Sequence, residues 1–100
     1  MNRTTDDSRL VFTQRQGQYL AFIHAYTLVN ERPPAHADMQ RFFRVTPPSV
    51  HQMLLALECA GLIARKPGAP RSIKVMVDPD NLPTLNPVNP QPVKITVTGY

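Results

Sequence analysis

Two proline pairs, Pro33-Pro34 and Pro47-Pro48, cut the first part of this chain into helix-length pieces. Proline has no amide hydrogen and drives the residue before it out of the helical region. It is tolerated in a first helical turn, where that hydrogen would go unused. Each pair therefore marks a helix start or a break between helices, and one long helix is excluded. A looser cluster, Pro79, Pro83, Pro87, Pro90 and Pro92, interleaves with Asn81, Asn86 and Asn89. That stretch shows no helical period and reads as an extended, semi-rigid linker over 78–92.

The pieces between the prolines carry their own signals. Thr13 and Gln16 form a capping-box pattern. Behind them Tyr19, Leu20, Ile23, Tyr26 and Thr27 recur at three- and four-residue spacing, which predicts a helix over 14–30 that stops before Pro33. A short second helix is expected over 35–43, with Met39, Phe42 and Phe43 inward and Asp38 in its first turn. Arg44-Val45 then turns. Thr46 is a natural N-cap and Pro47 a natural first residue for a third helix over 47–60, with Val50, Met53, Leu54 and Leu57 at core spacing. Gly61 suits a left-handed C-cap. After it the period becomes two: Leu62 to Lys66, a turn over Pro67-Gly68-Ala69-Pro70, then Arg71 to Val77 with Ile73, Val75 and Val77 on one side and Lys74 and Met76 on the other. Val93 to Thr98 alternates again and reads as a lone strand needing a sheet edge.

Composition narrows the class. One hundred residues, 42% of them apolar, support one small core. A single cysteine, Cys59, allows no intrachain disulfide and is expected as a small core residue. No apolar run approaches the roughly 18 residues of a spanning helix. The opening MNRTTDDSR lacks the apolar core of a signal peptide. A cytoplasmic protein with no membrane partner is expected. The net charge is +4, and eight of the eleven cations are arginine, the side chain shaped for phosphates and base edges.

Helix, helix, tight turn, helix, hairpin is the order of a winged helix-turn-helix. The expected fold class is α+β, mainly α: three helices and a β-hairpin wing, with an extra C-terminal strand. The boundaries are a polar N-terminus over 1–11, the winged domain over 12–77, the linker over 78–92 and the last strand over 93–100.

From Phe12 to Val77 the chain also resembles the N-terminal DNA-binding domain of the LexA repressor family. The resemblance rests on Phe12-Thr13-Gln14-Arg15-Gln16, Arg32-Pro33-Pro34, Pro48-Ser49-Val50-His51, the run Leu54 to Ile63, and Pro67-Gly68-Ala69-Pro70-Arg71-Ser72-Ile73 in the hairpin. It implies a bacterial or phage-like transcriptional regulator, a repressor by steric exclusion of polymerase. Two departures stand out: Ala35 replaces the family's usual hydroxyl N-cap, and the turn before the third helix is one residue shorter. After Val77 there is no serine and one lysine, Lys94, so the family's serine–lysine self-cleavage is not expected and any signal must come from elsewhere.

Between Arg32 and Val77 seven cations face two anions, an excess placed on the helix-turn-helix and the hairpin, where phosphates of double-stranded DNA would lie. The outward flank of the third helix offers Pro48, Ser49, His51 and Gln52 for base edges, and glutamine suits adenine. Arg44, Thr46, Arg65, Lys66, Arg71 and Lys74 are the candidates for the phosphate backbone.

No catalytic residues, metal ligands or cofactor are expected. The carboxylates are scattered, the glycines form no phosphate cradle, and His24, His36, His51 and Cys59 share no ligand spacing. Tyr19, Phe22, Tyr26, Phe42 and Phe43 read as packing residues rather than a stacking platform. A competing reading is a winged-helix module that docks a protein partner through Leu55 and the last strand. That strand can pair within the chain or across a homodimer.

Overall fold

The first helix, α1 (Gln14–Asn30), opens as its sequence dictates. The Gln16 amide hydrogen donates to Thr13 Oγ1 at 3.0 Å, and the Thr13 amide donates to Gln16 Oε1 at 2.9 Å, closing a reciprocal capping box. The computed structural model describes residues 12–86, so the N-terminus over 1–11 and the strand expected over 93–98 lie outside the described residues. The helix ends at Glu31, in the left-handed region at φ 61°.

Helix α2 (His36–Phe43) follows the first proline pair. Ala35 offers no side-chain acceptor at its N-cap. Asp38 compensates from the first turn, its Oδ2 accepting the Ala35 amide at 2.8 Å. Arg44 closes the helix at φ 57°, and the chain enters α3 (Pro47–Cys59) through Val45 and Thr46. Thr46 occupies the N-cap position, but its side chain caps no amide. Pro47 and Pro48 have none to give, and the Ser49 amide donates instead to the Thr46 carbonyl at 3.0 Å. The far end of α3 is a Schellman motif. Gly61, at φ 78°, donates to the Glu58 carbonyl, and Leu62 donates to the Leu57 carbonyl.

Strands β1 (Ile63–Ala64) and β2 (Lys74–Val75) pair antiparallel, Ile63 opposite Val75 and Ala64 opposite Lys74. The ladder is shorter than the alternation suggests because Ser72 takes over its next rung. The Lys66 amide donates to Ser72 Oγ at 2.9 Å, and that hydroxyl donates back to the Lys66 carbonyl at 3.2 Å. The tip is a turn from Lys66 to Ala69, with Gly68 at φ 74° and the Ala69 amide donating to the Lys66 carbonyl. Proline second and a left-handed glycine third are the requirements of a type II turn.

The core gathers Tyr19, Leu20 and Ile23 of α1, Met39 and Phe43 of α2, Val50, Leu54 and Leu57 of α3, and Leu62, Ile63, Ile73 and Val77 of the hairpin. Tyr19 stacks on Phe43 with ring centroids 4.0 Å apart, and Phe22 stacks on Phe42 at 4.6 Å. Burial of each large aliphatic side chain here contributes about 1.5–3 kcal/mol.

The segment expected as a linker begins differently. Pro79–Asn81 forms a 3-10 turn, and Leu82 and Leu85 pack on the core. The Gln18 amide grips the passing backbone, donating to the Thr84 carbonyl at 2.9 Å and accepting from the Asn86 amide at 2.8 Å. Gly17 makes room for this crossing: a methyl group there would lie 2.9 Å from the Phe12 ring and 3.0 Å from Pro83. The chain up to Asn86 is thus tied to α1.

Candidate nucleic-acid interface

Helix α3 divides cleanly. Val50, Leu54 and Leu57 are fully buried in the core. Pro48, Ser49, His51 and Gln52, the four residues read as base-facing, are all exposed on the opposite flank. Leu55 joins them at 43% exposure. The two prolines in its first turn hold α3 to helical φ without needing partners for amide hydrogens. Thr46 Oγ1 and Ser49 Oγ lie 3.1 Å apart, so these hydroxyls are engaged with each other at the exposed helix start.

The six expected backbone-facing residues fall into two sets. Arg44, Thr46, Lys66 and Lys74 are exposed, and among the described residues none of the three cations has a carboxylate within 4.0 Å. Arg65 and Arg71 do not stand free. Arg65 donates from Nε and Nη2 to Glu58 Oε1 of α3, at 3.2 and 3.0 Å. Arg71 adopts φ 57° and turns inward, donating from Nη1 to the Pro33 carbonyl at 3.1 Å and to the Tyr26 hydroxyl at 3.3 Å. The same nitrogen is 3.4 Å from Asp38 Oδ2. The two arginines flank the tip and bind the inner side of the hairpin, where it is rooted on the body of the domain, to all three helices.

Asp38 is the centre of that root. Its carboxyl is held below the usual range by the Ala35 amide first, then by the Tyr26 hydroxyl and the charges of Arg71 and Arg41, against an opposing effect of burial. His36, at the start of α2, is lowered by loss of water around the ring and by the charges of Arg65 and His51. That coupling links the start of α2, the polar flank of α3 and the hairpin root. A groove of about 840 Å³ runs between α2 and the hairpin, lined by His36, Gln40, Arg65, Lys66, Arg71 and their neighbours.

One cation escaped sequence reasoning. Arg15 is exposed in the first turn of α1, its guanidinium carbon 5.9 Å from the centre of the Tyr19 ring. Burial pushes the Tyr19 hydroxyl up, and Arg15 opposes that shift. The four-residue spacing of Arg15 and Tyr19 places them on one helix face, but the capping-box reading absorbed that segment. Cys59, expected in the core, is exposed instead, because the last turn of α3 points it away from the buried stripe. Among the described residues no group of three His, Cys, Asp or Glu side chains could hold a metal ion, and no helix is long and apolar enough to cross a membrane.

Comparison with known proteins agrees with this architecture. The family model of the LexA DNA binding domain matches residues 10–72. The LexA repressor of Thermotoga petrophila is 41% identical over 63 residues, covering 63% of this chain and 32% of the relative. The LexA repressor of Thermosipho africanus is 37% identical over 70 residues, covering 70% of this chain and 35% of the relative. The chain thus spans about a third of the length of these curated relatives. With three helices, an antiparallel hairpin and a matched segment that contains both, the chain belongs to the LexA DNA-binding domain family.

Proposed function

We propose that this chain binds double-stranded DNA as a sequence-specific transcriptional repressor, with α3 in the major groove and the wing against the backbone. The single observation that carries this reading is the sorting of α3: its apolar stripe is fully buried while Pro48, Ser49, His51 and Gln52 face solvent together. Gln52 is suited to adenine through a bidentate amide contact, and Ser49 to either edge. The exposed Leu55 side chain suits a thymine methyl. Arg44, Lys66 and Lys74 supply phosphate contacts, and Thr46 adds a hydroxyl at the entry to α3. Arg65 and Arg71 act chiefly by holding the wing at its root, with their remaining donors toward the backbone. Repression follows from occupying a promoter in place of polymerase, in a cytoplasmic setting. Two copies pairing through the C-terminal strand over 93–98 would read a palindromic site.

The test is selection of bound duplexes from a random library, followed by affinity measurement against salt. A recurrent short motif and a strongly negative slope of log K on log salt are expected, because each neutralised phosphate contributes roughly −0.9 to that slope. No enriched motif together with a slope near zero overturns the proposal. The exposure of Leu55 favours a second reading, a protein-docking module. Capture of a partner by the nucleic-acid-free chain, with loss of capture on Leu55→Ser and no retention of any duplex, would establish it instead.

A further inference from the structure

We infer that Arg15 is a phosphate-binding residue on the α1 side of α3, so that the duplex is held on both flanks of the reading helix and not by the wing alone. The inference rests on the DNA-binding reading above and adds a contact outside the helix-turn-helix and the wing.

A groove of about 400 Å³ separates the first turn of α1 from α3, and Arg15 lines it together with Ser49, Gln52 and Met53. The cation therefore shares a surface with two of the residues proposed to read bases. The geometry of B-DNA gives this placement its meaning. The major groove is about 12 Å wide, and a helix with its side chains is about 10–12 Å across. A helix that enters the groove fills it. A cation on a neighbouring element beside that helix then meets the phosphodiester ridge that borders the groove.

Three further features fit a phosphate contact. No acidic residue lines the groove, whereas the groove on the wing side contains Glu58, which binds Arg65. Arg15 has no carboxylate within 4.0 Å among the described residues. Its guanidinium also rests near the face of Tyr19, which is 1% exposed and stacked on Phe43. A cation–π platform on a fixed ring limits the arc the side chain sweeps and leaves its donors for a ligand.

The experiment compares the full chain with Arg15→Ala and Arg15→Lys on a duplex the wild-type chain selects and on an unrelated duplex. Arg15→Ala should weaken both by a similar factor, on the order of tenfold, as for a lost hydrogen bond to a charged group. It should also make the salt slope less negative by about 0.9. Arg15→Lys should restore the slope while recovering affinity in part. A second measurement reads the contact by its position along the site, which a general loss of folded chain would not reproduce. Neutral methylphosphonate linkages, placed one at a time along the site, should weaken the wild-type chain at one flank. Arg15→Ala should be indifferent at that position alone. Wild-type binding with an unchanged slope in Arg15→Ala, or equal sensitivity of both chains at every linkage, overturns the role of Arg15 and leaves the DNA-binding reading standing. Failure of the wild-type chain to bind any duplex overturns both.

Discussion

The hairpin carries its positive charge in two different ways. At the root, Arg65 and Arg71 turn back onto Glu58, Asp38, Tyr26 and Pro33. Along the outer edge, Lys66 and Lys74 are exposed with no carboxylate partner among the described residues. The contrast follows the chemistry of the two side chains. A planar fork of donors can satisfy several fixed acceptors at once, while a compact ammonium on a flexible stem stays hydrated. Cations within one hairpin therefore differ in what they do in the fold, the arginines tying the wing to the helices and the lysines standing exposed at its surface. Counting charge along the sequence merges the two.

Substitutions separate root from edge. Ile73→Ala, which removes the 5% exposed side chain anchoring the hairpin in the core, should cost about 2–5 kcal/mol of stability. Thermal or urea unfolding checks this, and a loss under 1 kcal/mol would show a hairpin resting loosely on the helices. Arg71→Ala comes next. It should lower the melting temperature and weaken DNA binding together, because the Pro33 carbonyl loses its donor and the Asp38 carboxylate loses one of its neighbouring positive charges. If affinity falls while melting stays fixed, Arg71 belongs with the edge rather than the root. The double change Lys66→Ala and Lys74→Ala should leave stability within about 0.5 kcal/mol. It should make the salt slope less negative by roughly 1.8, two phosphates' worth.

The smallest expected effect is pH dependence at the root. Asp38 is held below the usual carboxylate range in the folded chain. The unfolded chain therefore takes up this proton first as pH falls. The stability Asp38 contributes is complete above about pH 4, the ordinary aspartate value, and is lost as pH drops through its depressed folded value. Asp38→Asn should remove this portion of the acid limb. An unchanged acid limb in the variant would mean that the root is held without that charge.

The elements that were legible are those whose signals are local. Thr13 with Gln16, the residues before Pro33, Thr46-Pro47 and Gly61 each specify a helix end within a few residues, and α1 and α3 begin and end there. The buried and exposed flanks of α3 were legible for the same reason, since spacing alone separates Val50, Leu54 and Leu57 from Ser49 and Gln52. What escaped depends on contacts distant in sequence. Gln18 meets Thr84 and Asn86 across 66 and 68 residues, so a proline-rich stretch looked like a linker while Leu82 and Leu85 were packing on the core. Arg71 reaches Tyr26 across 45 residues and does so from a left-handed backbone, which alternation along a strand does not signal. The hairpin ladder stops short because a side-chain hydroxyl, Ser72, replaces backbone pairing.

The central claim is that the exposed polar flank of α3 reads bases while the cations around it only hold the backbone. The most direct measurement is the base preference of Gln52→Ala, determined by selection from a random duplex library beside the wild-type chain and the Lys66→Ala, Lys74→Ala double variant. Gln52→Ala should lose preference at one base-pair position, by about 1–3 kcal/mol of discrimination, and keep it elsewhere. The lysine variant should bind every sequence more weakly with its preferences intact. Identical preferences in Gln52→Ala and the wild-type chain at every position would contradict the claim.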